Sequence, residues 1–428
     1  MIFLGVIFAN IFFTVVRASE ASAGGLAREF RLNIFSEFRF SNFFLLCQLG
    51  DAPVDIYFLF DSSRSMEDLK NKLKAAARNI VREVKIMTED AQFGIGGYTD
   101  KPIVPFANEP QEAKDGDTDD KKDHRKVFAF QHHLSITDNE AELEKAIEDI
   151  TLVKNVDDPE ANFDALAQAM LCKDIVGWRG NDIRKVIIMI GDEESKYAMD
   201  GMIAGIVKPF DMKCHTKTEQ YLNDQTVTYY TKQLELDFPS FGQIRKLKRE
   251  TETDIIFLTK TTKLQWFKDA SKAIQDTDKN VAAFDDSKDE DHVTQIIKQQ
   301  YDSIKSRVVV RWSSNIKQDD LKVTFDASRS SKCTVANKGT ANEQVTCEGV
   351  KSTDAPTQLK AKIKVNQDYC FNKDSNNEVT IEVDGQRKGK MTVKVECEEC
   401  ENCSPAPVAN HPSCNQTGTL ICGACDCK

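Results

Sequence analysis

Val54-Asp55-Ile56-Tyr57-Phe58-Leu59-Phe60, followed at once by Asp61-Ser62-Ser63-Arg64-Ser65, is the stretch on which the fold turns. The first part is strand-length and nearly continuous in apolar residues, which suits a strand covered on both faces, as in a parallel sheet. A second run of this kind, KVIIMI at 185–190, ends in Gly191-Asp192-Glu193-Glu194-Ser195. Between them, Leu69, Leu73, Ala76, Ile80, Val84 and Met87 recur at three- and four-residue steps, predicting an amphipathic helix over 67–88. Residues 162–171 and 291–304 carry the same period, and 92–98, 253–259 and 280–284 are further strand candidates. Strands alternating with helices from about 51 to 304 predict an α/β domain with a doubly wound, mostly parallel sheet.

Past residue 306 the pattern changes. Segments 307–312, 321–325, 359–365, 378–383 and 390–396 alternate at strand length with no helix between them, as in part of a β-sandwich. Residues 399–428 are cysteine-dense and too few to bury a core, so they must be stapled. The apolar start, Ile2 to Val16, with Ala21-Ser22-Ala23 beyond it, reads as a secretory signal over 1–23, with an uncleaved anchor as the alternative. No later segment is apolar for long enough to cross a bilayer. The expected location is therefore the secretory pathway and the extracellular or cell-surface space.

The chain has 428 residues and a formal net charge of −11, with 40% hydrophobic and 29% charged residues. That is an ordinary globular balance, and it lacks the broad basic face that nucleic acid requires. Hard cations suit it better.

The chemistry concentrates in three oxygen-rich loops. In an open α/β sheet, ligands bind beyond the carboxyl ends of the strands, where Asp61, Ser63 and Ser65 stand. Two neutral hydroxyls with one carboxylate suit Mg²⁺, and they leave the ion electrophilic enough to accept an outside carboxylate. The competing reading is a capping box, with Ser65 before a helix and Asp68 three residues on. Asn155-Val156-Asp157-Asp158-Pro159-Glu160 offers four oxygen-bearing side chains just before a helix, or alternatively a polar loop with carboxylates favoured by the helix dipole. Asp192 closes the second buried strand. Three such loops are a less probable coincidence than one.

Here the sequence resembles integrin β-subunits. DIYFLFDSSRSMEDL resembles the first strand and metal loop of their VWA-type I-like domain, and GIGGYTDKPIVPF, NVDDPEANFDALAQAMLC, AMDGMIAGIVKP, KCH at 213–215 and DFPSFGQI follow in family order. The likeness spans about residues 51–428. It implies an I-like domain over 51–305, the C-terminal part of a hybrid-type sandwich over 306–398 and the start of an integrin EGF-like module over 399–428, leaving 24–50 unassigned. It also implies a row of three metal sites. Mg²⁺ would be held by Ser63, Ser65 and Glu160 with Asp61 and Asp192 nearby. An adjacent Ca²⁺ would take Asp100, Asn155, Asp157, the Pro159 carbonyl and Glu160, and a regulatory Ca²⁺ the Ser65 carbonyl and Asp68. The implied function is adhesion: an exposed Asp or Glu of an extracellular-matrix or cell-surface protein completes the Mg²⁺ shell of a head paired with an integrin α-subunit.

Three departures qualify that implication. Leu69 stands where the family commonly has a second acid, which weakens the regulatory site unless the acidic run 285–289 lends a ligand. The stretch 107–125 lacks the short disulfide of the family's ligand-selecting loop, and Met202 replaces a basic residue that enters the α-subunit. By the resemblance, the disulfides would be Cys172–Cys214, Cys333–Cys347, Cys370–Cys397, Cys403–Cys422 and Cys414–Cys425, with CGACDC at 422–427 as the EGF-type signature. Ten of the 13 cysteines fall between Cys333 and Cys427; a zinc site at the two C-x-x-C steps is the alternative to bridges. Cys400 and Cys427 have no partner in that scheme, which suggests a fragment or a reduced, secreted relative, and Cys47 is an outside candidate. Asn415-Gln416-Thr417 is a glycosylation acceptor. None of the six histidines sits in a recognisable nucleophile–base motif, so an enzyme is not expected. The rival readings are a secreted VWA-type adhesion protein that acts without an α-subunit, and a decoy.

Overall fold

Eight strands make the main sheet of the computed structural model, which describes residues 14–16, 27–30, 53–350 without 89, 108–126, 181–182, 221–225, 276, 286 and 329, and the strands 359–365, 378–384, 389–395, 419–421 and 424–426. Thr14–Val16 (β1) and Ala27–Phe30 (β2) belong to other sheets. The main sheet comprises β3 (Val54–Asp61), β4 (Ala91–Tyr98), β5 (Gln131–Thr137), β6 (Arg184–Ile190), β7 (Thr216–Gln220), β8 (Thr226–Tyr230), β9 (Thr253–Lys260) and β10 (Val281–Phe284). Their order is β10-β9-β6-β3-β4-β5-β8-β7. From β10 to β4 all neighbours are parallel, and β5, β8 and β7 add antiparallel pairings at one side.

The continuous apolar run of β3 is explained by its two neighbours and two faces. Ile56, Phe58 and Phe60 enter one core with residues of α1 (Glu67–Met87) and α2 (Glu140–Asp149), among them Leu73 and Ile147. Tyr57 and Leu59, on the opposite face, enter a second core with Phe163 and Leu166 of α3 (Asn162–Leu171), Ile244 of α4 (Phe241–Thr251) and Phe267 of α5 (Leu264–Gln275). Ile296 and Ile297 of α6 (Glu290–Lys305) return to the first core. The strand's period of two thus feeds two helix layers at once. This is the doubly wound arrangement expected from the sequence.

A two-layer sandwich follows. It is built from β11 (Val308–Ser314), β12 (Leu321–Asp326), β13 (Cys333–Ala336), β14 (Gln344–Cys347), β15 (Lys360–Val365), β16 (Glu378–Asp384) and β17 (Gly389–Val395). One sheet runs β1-β17-β16-β11-β14-β13 and the other β12-β15-β2. Val310, Val323, Phe325, Val345, Ile363 and Ile381 form the core they share. Ala27–Phe30, in the stretch left unassigned above, is antiparallel to β15, and Thr14–Val16, inside the expected signal, is parallel to β17. A short hairpin, β18 (Thr419–Ile421) and β19 (Ala424–Asp426), lies in the cysteine-dense tail.

Among the described residues two disulfides are formed, Cys172–Cys214 and Cys333–Cys347, the latter across directly paired residues of β13 and β14. The expected Cys370–Cys397 and Cys403–Cys422 bridges, the Cys414 expected to pair with Cys425, and the Asn415 acceptor lie outside the described residues. Among the described residues, no helix is long and apolar enough to cross a membrane.

Candidate metal centre

The sheet changes winding direction between β3 and β6. From β3 the chain proceeds to β4 and β5 on one side; it later returns as β6 on the other and continues to β9 and β10. The loops leaving the carboxyl ends of β3 and β6 therefore diverge, and a crevice opens between them. Asp61 and Asp192 stand at that crevice. Gly191 between them has no room for a side chain: a Cβ there would meet the Tyr98 hydroxyl and come within 3.4 Å of Asp61.

Asp61 is fully buried. Its Oδ1 accepts the Ser63 N–H at 2.8 Å, which holds the loop closed. The hydroxyls of Ser63 and Ser65 lie 2.9 Å apart. The capping-box alternative is not what forms. Arg64–Met66 is a 3-10 turn, α1 starts at Glu67, and neither Ser63 nor Met66 caps its helix through a side chain. The Ser65 hydroxyl faces Ser63 instead.

The loop 155–160 is brought alongside by backbone pairing. Ser63 bridges Val153, and the Glu160 N–H donates to the Glu194 carbonyl at 2.8 Å. Glu160 is buried, and its Oε1 accepts from the Asn155 amide at 2.8 Å. Asp192 is buried and pairs with Lys260 at 2.7 Å. Each of these three acids keeps one buried oxygen with no hydrogen-bond partner among the described residues: Asp61 Oδ2, Glu160 Oε2 and Asp192 Oδ1. Unpaired buried carboxylate oxygens are costly unless a proton or cation joins them. Burial and the nearby Asp192 carboxylate push Asp61 up to about 8. Burial, reinforced by Asp61 and Asp100, holds Glu160 well above the usual carboxylate range. Such acids trade a proton for a cation. The set Asp61, Ser63, Ser65, Glu160 and Asp192 therefore fits a small hard divalent ion, although among the described residues no three acids, histidines or cysteines form a ready-closed cage. Ser65 alone of the five is exposed, so solvent reaches the set past it.

The adjacent set is arranged differently. Asp100 is buried, and its Oδ2 lies 2.5 Å from the Lys196 ammonium. The same ammonium is 2.9 Å from Asp157 Oδ2 and donates to the Pro159 carbonyl. Asn155 spends its amide group on Glu160 and on the Asp157 carbonyl. As it stands, the set Asp100, Asn155, Asp157, Pro159 and Glu160 does not fit a calcium ion, because a lysine occupies it. In the third set, Asp68 and Ser65 are exposed and Leu69 is buried in the core, which leaves a single carboxylate. Asp285 and Asp289, considered above as possible lenders, bond to Ser287 and to the His292 N–H. Asp158 is exposed, and Glu193 pairs with Lys263 at 2.7 Å.

Sequence reasoning missed two lysines. Lys260 ends β9 at the same carboxyl edge as Asp61 and Asp192, a position that could have marked it. Lys196 follows an acidic run, and its spacing signals nothing.

Beyond the crevice, the 3-10 turn Asp200–Ala204 and its flanks expose Met199, Met202, Ile203 and Val207, the last three at 54%, 74% and 69%.

The family described as "Integrin beta chain VWA domain" matches residues 49–308. "Integrin beta pat-3" of Caenorhabditis elegans is 27% identical over 385 residues, covering 89% of this chain and 44% of its own. "Integrin beta-6" of Homo sapiens is 26% identical over 417 residues, covering 89% and 50% respectively. "Integrin beta-2" of Ovis canadensis is 27% identical over 379 residues, covering 88% and 45%. The chain spans about half the length of the curated relatives it matches. Since the family match covers more than half of the chain and contains the loops built above, this protein belongs to the integrin β-chain VWA family.

Proposed function

We propose that this chain is the ligand-binding head of an integrin β-like adhesion receptor, working outside the cell and paired with an α-subunit. Its central set, Asp61, Ser63, Ser65, Glu160 and Asp192, would hold Mg²⁺. A bound Mg²⁺ would supply an electrophilic centre with a coordination position left for an acidic side chain of a matrix or cell-surface protein. The chain's own residues prepare that event. Asp61 locks the loop through the Ser63 N–H, the hydroxyls add no charge, and Lys260 neutralises part of Asp192. The observation that carries the reading is the trio of buried, unpartnered carboxylate oxygens beside two paired hydroxyls. The role is binding, not catalysis.

Asp61→Ala tests it. Magnesium titration by calorimetry, together with adhesion to a panel of immobilised matrix proteins, should both fall to background. Far-UV circular dichroism and the melting temperature in EDTA should match the parent. Adhesion that persists in EDTA would defeat the proposal.

The apolar cluster around Met202 supports an α-subunit partner over the secreted VWA-type reading, since a solitary module gains nothing from exposing it. With methionine there, the contact would rest on apolar packing and lack a cation–π component. The segmentation into a signal over 1–23, the VWA domain over 51–305, a sandwich over 306–398 and an EGF-like start over 399–428 is proposed on the same footing.

A further inference from the structure

We infer that the ion position beside the central metal site is filled permanently by the Lys196 ammonium, so that this chain carries a tethered monovalent cation where the resemblance implies an exchangeable Ca²⁺. The inference refines the proposed adhesion site and relies on that reading only for the identity of the neighbouring ion.

An ammonium has three protons and no acceptor. Here it meets three acceptors: Asp100 Oδ2 at 2.5 Å, Asp157 Oδ2 at 2.9 Å and the Pro159 carbonyl. Its remaining side faces the Phe106 ring, 4.6 Å from the centroid. Lys196 is only 4% exposed. Those three acceptors are three of the five donors expected for the calcium ion. The other two, Asn155 and Glu160, bond to each other at 2.8 Å. Each of the five residues thus makes at least one bond inside the protein, while Asp157 Oδ1 and Glu160 Oε2 stay without a hydrogen-bond partner among the described residues.

The lysine reaches this place by backbone register. Its N–H donates to the Glu160 carbonyl at 2.8 Å, and the Glu160 N–H donates to Glu194 at 2.8 Å, which stitches the 192–196 loop along the 157–160 loop. The stem is therefore bolted next to the acids, and leaving would move a charge past an aromatic ring. A divalent ion bound to the same oxygens would lie within a few ångström of that charge in a buried setting, where repulsion is strong. Both cations cannot be present at once.

One functional consequence follows. Glu160 is not shared between two divalent ions, and its unpartnered Oε2 remains for the central one. Ligand binding should then depend on Mg²⁺ without needing added Ca²⁺.

The test is an ion count on the full chain, by elemental analysis after dialysis against CaCl2 and by calorimetric titration. Asp157→Ala should leave the calcium stoichiometry of the wild type unchanged, whereas the loss of one bound ion would overturn the inference. Lys196→Ala should gain one Ca²⁺ per chain, and Lys196→Ala/Asp157→Ala should lose that gain. A folded Lys196→Ala chain that gains no ion overturns the inference as well. If the lysine variant fails to fold, the Asp157 comparison still decides. Asp157 is no donor to the central set, so Mg²⁺ titration of Asp61→Ala judges the adhesion reading separately.

Discussion

Lys101 shows how strongly one residue can matter away from the metal loops. Its ammonium is fully buried, 2.6 Å from the equally buried Asp164, and donates to the Leu236 carbonyl at 2.9 Å. It also lies over the Phe238 ring, 4.4 Å from the centroid. Burial pushes Asp164 up to about 6, with Lys101 pulling the other way. Removing one partner of such a pair strands the other charge, which typically costs about 3–5 kcal/mol. Lys101→Met should destabilise the protein by that order in urea unfolding. Adding Asp164→Asn should recover part of the loss, because the stranded charge is then gone. Nothing in the local spacing marks Asp164, which sits in the first turn of a helix that is buried from Asn162 to Met170.

Among the elements, β5 was the hardest to read and has the clearest pH signature. Its residues QHHLSIT are half-buried or exposed throughout, with no clean alternation, and it pairs with β4 through a shifted register. Strand β4 was legible because its glycines and apolar residues are flanked on both sides. Burial pushes His132 and His133 down to about 4, and the His133 Nε2 has no hydrogen-bond partner among the described residues. Their folded values lie below the ordinary one near 6.5, so the unfolded chain binds more protons in between. Stability from these residues is therefore complete above about pH 6.5 and is lost as pH falls toward about 4. The drop in melting temperature between pH 7.5 and 5 should shrink in His132→Gln/His133→Gln; an unchanged drop would mean that other groups govern acid sensitivity. At the same scale, the Cys172–Cys214 bridge closes a loop with a sequence separation of 42. Chain-entropy scaling gives about 4 kcal/mol for it, so Cys172→Ser/Cys214→Ser should melt markedly lower under non-reducing conditions.

For the whole molecule, the geometry joins a crevice at the carboxyl edge to an apolar turn that projects from the same domain. Ile203→Glu would place a charge on that turn while leaving every contact of the crevice in place. It should abolish co-purification with the proposed α-subunit and leave Mg²⁺ titration unchanged. Retained co-purification would remove the α-partner from this surface. A protein that never pairs, in wild-type form, would instead favour the secreted VWA-type reading.

The doubly wound sheet, its two long helices at 67–87 and 290–305, and the loops bearing Asp61, Ser63, Glu160 and Asp192 could all be read from the chain itself. Buried parallel strands are written as unbroken apolar runs, and the residue that ends each run is by topology at the ligand edge. What the fold alone decided was which charges meet there. Lys196, on the loop after β6, and Lys260, at the end of β9, approach acids whose juxtaposition depends on strand order and register across the sheet, and those long-range pairings leave no periodic trace in a linear sequence.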